Sequence, residues 1–248
     1  MGDFFDEIYA EYVSATCRDG SIQKQVTFIE EKVACLLKNP YILDHCCGHG
    51  RHLNYLYNKG YRIAGMDNNQ TYLDLIRKSS KKEISLYHCD ARDFCLNNQF
   101  DLIINMGTSL AGFEKNEIFS IINNIYNSLK TNGLFVLHQF NHHFIKENFP
   151  RKGWYTVDDK AFILEQREFN SFDEELDHMH IKHLRFIHEK EDSFKLKRQN
   201  IKLNFIQLFK LEEYLKDIGF SILNKYGDFD CQNFDYQSSP DLILVLKK

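Results

Sequence analysis

The chain has 248 residues, 43% of them hydrophobic and 27% charged, with 31 Lys and Arg against 35 Asp and Glu and a net charge of −4. This balance excludes wholesale disorder, fits one large domain or a domain with an insertion, and lacks the basic field of a dedicated nucleic-acid binder. No apolar run approaches the roughly 18 residues of a membrane span, the start Met1-Gly2-Asp3-Phe4-Phe5-Asp6 has no cationic leader, and seven scattered cysteines point to a reducing, cytoplasmic compartment rather than a disulfide framework.

Ile22, Val26, Ile29, Val33 and Leu36 recur at helical spacing and predict a first helix over about Ser21 to Leu37, with the Ser21 hydroxyl as its cap. Tyr41 to His45 is a short apolar strand that runs into a Gly-containing turn. Arg51 to Lys59 follows as a helix, with Gly60 placed for its left-handed C-terminal residue. Arg62 to Asp67 is a second strand, Thr71 to Ser80 a helix with Leu73 and Ile76 inward, and Ile84 to Asp90 a third strand. Phe100 to Asn105 is the fourth. Ile118, Ile121, Ile125 and Leu129 set a helix over Glu117 to Lys130, Gly133 follows its end, and Leu134 to Leu137 is the fifth strand.

Five strands separated by helices predict a doubly wound α/β sheet covered on both faces. The period then drops to two between Phe162 and Phe205. Glu175 to His188 and Phe194 to Phe205 read as long strands joined by a polar turn, within an antiparallel insertion of about three strands. Leu211 to Ile218 is a last helix ended by Gly219, and Phe220 to Tyr226 and Leu242 to Leu246 close the sheet. The expected organisation is an α/β ligand-binding domain over residues 1–140 and 206–248, interrupted by an antiparallel lid over residues 141–205.

The informative segment is Asp44-His45-Cys46-Cys47-Gly48-His49-Gly50. A strand delivers an acid, a Gly-x-Gly turn lets backbone approach a ligand, and a helix N-terminus offers open N–H groups. Asp67 ends the next strand, where an acid accepts hydrogen bonds from both hydroxyls of a ribose. Asp90 ends the third strand, level with the same crevice. A dinucleotide fingerprint needs a third glycine where this chain has Leu53. The pattern therefore suits an adenosyl ligand without a pyrophosphate better than NAD or FAD.

On these residues the sequence resembles the class I S-adenosylmethionine-dependent methyltransferases, whose pattern after the first strand is acid-x-x-x-Gly-x-Gly. Cys46 stands where most members carry a further glycine. Gly65-Met66-Asp67-Asn68-Asn69, Cys89-Asp90-Ala91-Arg92-Asp93-Phe94, Phe100 to Met106 and Leu129 to Phe135 resemble the family's later elements in order. The resemblance covers about Tyr41 to Leu137. It implies a Rossmann-like, mostly parallel seven-stranded sheet with an antiparallel last strand, and the five-plus-two strand count agrees. It also implies S-adenosyl-L-methionine as methyl donor. Asp44, Cys46, Gly48 and Gly50 would lie at its methionine end, Asp67 and Asn68 at the ribose, and Asp90 and Ala91 at the adenine. Met106 would wall the pocket, and the backbone of Asn105 to Thr108 would contact the donor's amino group.

Proteins that methylate DNA bases usually carry prolines after the fourth strand, and Asn105-Met106-Gly107-Thr108 has none. The insertion resembles the lid of small-molecule enzymes, including amino-sugar and glycine N-methyltransferases. The expected acceptor is a small polar molecule (a sugar, an amine or a phosphorylated metabolite) methylated on O or N, and the expected protein is a monomer or homodimer. Near the acceptor, His138 is the candidate base or orienting group, with Asn141 and Tyr12 as helpers. The residues Cys46, Cys47, His49 and His52 diverge around a strand-turn-helix, so no metal site is expected. On alternation, His178 and His180 share one strand face and His183 the other. Lys182, Arg185, Lys195, Lys197 and Arg198 make a basic cluster, read as a solvated edge in preference to a lid that attracts an anionic acceptor. Competing readings are a catalytically idle binding module and a nicotinamide-dependent oxidoreductase.

Overall fold

Strands buried on both faces need helices on both faces, and the computed structural model supplies them. It describes residues 6, 8–11, 19–79, 84–157, 159–171, 175–189 and 193–248. In chain order, helix α1 (Asp19–Lys32) leads to β1 (Tyr41–His45), α2 (Arg51–Asn58), β2 (Arg62–Asp67), α3 (Gln70–Ser79), β3 (Ser85–His88) and β4 (Phe100–Asn105). Then come α4 (Lys115–Ser128), β5 (Leu129–Phe140), α5 (His142–Asn148), β6 (Lys152–Val157), β7 (Ala161–Ser171), β8 (Leu176–His188) and β9 (Phe194–Ile206). Helix α6 (Leu208–Ile218), β10 (Ser221–Tyr226) and β11 (Asp241–Lys247) complete the fold.

The seven-stranded sheet has the order β10-β11-β5-β4-β1-β2-β3. β11 runs antiparallel to both neighbours, and β1 to β5 pair in parallel. Chain order reverses between β1 and β4, which opens a crevice at their carboxyl ends. Alternate strand residues feed two cores. Ile42 joins Val26 and Ile29 of α1, Leu53 of α2 and Ile76 of α3, while Leu43 joins Ile121 and Ile125 of α4 and Leu211 of α6.

Several expected boundaries move. Helix α1 begins at Asp19, so Ser21 lies inside it and does not cap it. Leu36 falls in a separate 3-10 turn and is exposed, because the helix ends at Lys32 and the stripe loses its phase. Helix α4 starts two residues early, where the Glu114 and Glu117 side chains and backbone close a capping box. It stops at Ser128, so Leu129 and Gly133 belong to β5 and not to the helix end. The β4–β5 register shifts between Phe100 and Leu102, so Lys130 to Gly133 bulge outward, with Asn132 left-handed at φ 64°.

The insertion is a four-stranded antiparallel sheet, β6-β7-β8-β9, not three-stranded. The additional strand, β6, is short and alternately exposed, with Trp154 largely exposed. β8 pairs without a break from Leu176 to His188 against β9. His183 therefore lies on the face opposite His178 and His180, as alternation required. Met179, Ile181, Ile201 and Phe205 dock the sheet on Ala111 and on Ile145 of α5. Among the described residues no helix is long and apolar enough to cross a membrane.

Candidate active site

The crevice is floored by the loop that leaves β1. Cys46 adopts φ 60°, Gly48 φ 55° and Gly50 φ 85°, the last as the residue before α2. Cys46 thus holds a left-handed conformation at a place where glycine is the unstrained choice. The Cys47 N–H donates to the Met66 carbonyl at 2.9 Å and the Gly50 N–H to the Cys47 carbonyl at 3.0 Å, which pins the loop to β2. Beneath it, buried Asp44 accepts from the Leu53 N–H at 3.1 Å and ties the first turn of α2 to β1. Burial pushes the Asp44 carboxyl up to about 7; the Leu53 N–H opposes this and the Asp67 charge adds to it.

Asp67 stands at the end of β2. One carboxylate oxygen accepts the Gly48 N–H at 2.7 Å and the other the Asn69 N–H at 2.9 Å. Burial raises its pKa against those two donors. Asn68 beside it is exposed.

The glycines separate into two kinds. A Cβ on Gly50 would strike Ile76 at 2.7 Å, and one on Gly65 would collide with Leu53, so these two are packing glycines. Among the described residues, a Cβ on Gly48 would meet only Tyr72 at 4.0 Å, and one on Gly107 (φ 72°) only Arg51 at 3.9 Å. Those two line open space at the crevice.

At the end of β3, Asp90 accepts from Arg92 Nε at 2.9 Å and Nη2 at 2.8 Å, and Arg92 also reaches Glu117. The Arg92 hydrogen bonds hold the Asp90 carboxyl below its ordinary range. Ala91 and Met106 are buried. The backbone donors after β4 are turned inward: the Gly107 N–H donates to His138 Nδ1 at 3.0 Å and the Thr108 N–H to the His138 carbonyl at 3.1 Å.

His138 is therefore built into the frame. Its Nδ1 accepts, so the ring proton sits on Nε2, which faces Asp241 Oδ1 at 3.1 Å. Phe229 packs edge-on against the ring at 4.9 Å. Asn141 caps α5 by accepting the His143 N–H at 3.2 Å, and its amide donates to the carbonyls of Tyr236 and Ser239 at 2.8 Å. Tyr12 lies outside the described residues.

The possible metal ligands do not converge. His52 bonds Gln25 at 2.6 Å, and His49 stands edge-on to Tyr72 at 5.8 Å. Burial pushes these imidazoles down to about 3 and about 4, and pushes the Cys46 and Cys47 thiols up. Among the described residues no three His, Cys, Asp or Glu are arranged to hold a metal ion.

Sequence reasoning missed two groups and misread the setting of a third. Asn105 donates to His45 Nδ1 at 3.0 Å beneath the crevice; among the described residues neither Asn105 Oδ1 nor His45 Nε2 finds a partner. On the lid, Glu165 binds His183 Nε2 at 2.8 Å and also Arg167. Arg185 and Lys197, expected in a solvated basic edge, instead both reach Asp6 at 3.0 Å, with Arg185 fully buried. All three join residues far apart in sequence, and no spacing rule announces them.

Residues 42–133 match the family described as a methyltransferase domain. That match spans less than half of the chain, and over it the chain is similar to a methyltransferase domain. No curated protein matches the chain. A solved S-adenosylmethionine-dependent methyltransferase from Clostridium acetobutylicum ATCC 824 is similar over 99% of this chain and 98% of its own, at 21% identity and TM-score 0.78. An S-adenosylmethionine-bound amino pentose methyltransferase from Micromonospora echinaspora covers 98% of this chain and 97% of its own, at 14% identity and TM-score 0.70. A sugar N-methyltransferase from Streptoalloteichus sp ATCC 53650 covers 93% and 90%, at 14% identity and TM-score 0.69. At these identities the likeness is one of fold. The methyl donor of such a domain is S-adenosylmethionine, and the open face of Gly48 beside the Asp67 carboxylate is a cradle that fits it.

Proposed function

We propose that the chain transfers a methyl group from S-adenosyl-L-methionine to an O or N atom of a small polar acceptor, as a monomer or homodimer in the cytoplasm. The observation that carries this reading is the pairing of a left-handed Gly48, open on its Cβ side among the described residues, with the Asp67 carboxylate 2.7 Å from its N–H. The solved sugar N-methyltransferase and amino pentose methyltransferase support a sugar or amine acceptor.

When bound, S-adenosylmethionine supplies a methyl group already activated by its sulfonium. The chain must then bind, orient and exclude water. Gly48 and Gly50 shape the turn that would receive the methionine end, and Asp44 and Cys46 hold that turn in place. Asp67, with Asn68, would accept from the ribose hydroxyls. Ala91 and Met106 would enclose the adenine, and Asp90 would reach it from its Arg92 clamp. His138 and Asn141 serve by positioning. His138 fixes the Gly107 turn at the crevice, and Asn141 fixes the start of α5 (His142–Asn148), which leads into the lid. Residues 141–205 would then cover the acceptor, with Tyr12 as a further candidate helper. A base is needed only for an acceptor that arrives protonated.

Leu53 argues against the oxidoreductase, because it fills the place a dinucleotide's third glycine would leave open. Calorimetric titration of the protein with S-adenosylmethionine and with NAD tests both, followed by acceptor screening on product mass. Saturable binding of the first alone, with methylated product, is expected. Donor binding without any product would support the idle binding module instead.

A further inference from the structure

The lid carries a charged group wholly withdrawn from water. Arg185 of β8 is completely buried, and Lys197 of β9 lies directly opposite it in register. Both side chains converge on one carboxylate, Arg185 Nη1 on Asp6 Oδ1 and Lys197 Nζ on Asp6 Oδ2, each at 3.0 Å. Burying a guanidinium costs several kcal/mol unless a partner of opposite charge meets it in good geometry. The partner among the described residues belongs to neither sheet. Asp6 precedes both and is held by its own backbone: its carbonyl accepts Tyr72 Oη at 3.1 Å, and its side chain accepts the Tyr9 N–H at 2.9 Å.

The position of this group links it to the donor crevice. Among the described residues, Tyr72 is the side chain nearest the open face of Gly48. The Arg185 guanidinium lies 5.3 Å from the Tyr9 ring centroid; burial raises the Tyr72 pKa, with Asp6 and Asp67 adding to it and the Arg185 charge opposing them. The adjacent cross-strand rung differs. Glu165 there holds His183 and Arg167, a set of partners drawn entirely from the lid's own strands. Arg185 and Lys197 instead look outward from the lid, toward Asp6 and Tyr72.

We infer that Arg185 and Lys197 form an anion subsite for the acceptor, which takes a carboxylate or phosphate group, and that Asp6 occupies it in the resting chain. The inference rests on the methyltransferase reading and narrows its acceptor to an anionic molecule. The Asp6 carboxylate stands in for the ligand: two oxygens, one to each cation, is the geometry a carboxylate or two phosphate oxygens would repeat. An incoming anion competes with Asp6 and is placed beside the crevice that holds the methyl donor.

Calorimetric titration of the full chain with inorganic phosphate and, separately, malonate tests this. Asp6→Asn removes the tethered competitor and should tighten one or both probes by about tenfold or more, as expected when a group at roughly millimolar effective concentration is withdrawn. Tightening with phosphate alone identifies a phosphorylated acceptor, and with malonate alone a carboxylated one. Adding Arg185→Gln to Asp6→Asn should abolish the gain. Should that variant not fold, Lys197→Met at a half-buried site replaces it and should remove most of the gain. Unchanged affinity for both probes in folded Asp6→Asn would overturn the inference, as would a gain that survives Lys197→Met. S-adenosylmethionine titration in parallel keeps the two readings apart. Failure of the wild type to bind it, with phosphate tightening intact, would overturn the methyltransferase and leave the anion site.

Discussion

The two sheets solve the problem of placing polar groups in opposite ways. In the seven-stranded sheet every residue of β1 is buried, and polar chemistry (Asp44, His45, Asp67, Asn105 and His138) gathers at the carboxyl ends of the strands and in the loops that follow them. In the four-stranded sheet the strands themselves carry it: Glu165, His183 and Arg185 are buried within β7 and β8. A parallel sheet sandwiched by helices has no room for charge between its ends, so its ligands bind at its edge. An antiparallel sheet used as a cover turns one whole face inward, and any rung of that face can become a binding surface.

The sharpest way to break this comparison is to cut a charge from inside the lid. Glu165→Ala leaves Arg167 and His183 buried without their carboxylate and should cost about 3–5 kcal/mol. Hydrogen exchange should localise the loss to β7 and β8, with S-adenosylmethionine affinity preserved. A matching loss of protection in β1 and β2 would mean that the sheets act as one unit. On the donor side, Asp67→Ala removes two charge-assisted hydrogen bonds and should weaken S-adenosylmethionine by about a hundredfold in calorimetry, roughly 2–3 kcal/mol. Lid substitutions should not reproduce it. Gly50→Ala tests packing rather than chemistry. Its Cβ meets Ile76 at 2.7 Å and its φ is 85°, so a loss of about 2 kcal/mol is expected in denaturant unfolding.

Titration separates the two halves further. The folded Asp44 carboxyl lies at about 7, above its ordinary 3.8. The protonated form is favoured in the fold, so this contribution is complete below pH 3.8 and is lost as pH rises toward 7. The slope is at most about 1.4 kcal/mol per pH unit. Glu165 is held below 4.5, because its His183 and Arg167 partners outweigh burial, so its contribution is lost as pH falls through the acid range. Asp44→Asn should flatten the pH 4–7 limb of a stability profile and leave the acid limb unchanged. The smallest effect belongs to Cys46→Gly. Relief of a left-handed non-glycine offsets the added freedom of the unfolded chain, so stability should change by less than about 1 kcal/mol, with donor affinity retained.

Legibility in the sequence follows the same division. Gly48, Gly50 and Asp67 are recognisable because each lies a fixed few residues from a strand end, and the strands announce themselves as apolar runs. Helix ends were less legible. Ser21 has the chemistry of a cap, but α1 starts before it, and Leu36 continues a periodicity that the backbone abandons at Lys32. The strand over Lys152 to Val157 escaped notice because it is a short edge strand with Trp154 exposed. His138 lies near the end of β5 and Asn141 just after it, but their side-chain atoms are engaged by Gly107, Asp241, Tyr236 and Ser239, which lie up to 103 residues away. The lid's charged rungs depend on register between strands, and register is a property of the paired chain rather than of any single segment.

Leu53 and Gly65 have a consequence for how this chain can change over generations. A side chain at position 65 would collide with Leu53, and Leu53 is itself fully buried. Trimming Leu53 alone opens a void against Gly65, and enlarging Gly65 alone forces Leu53 from its place. Each single step lowers fitness through stability before any new ligand is gained. A lineage drifting toward a diphosphate-bearing cofactor would have to lose Leu53, and the void this leaves against Gly65 makes that step costly in stability.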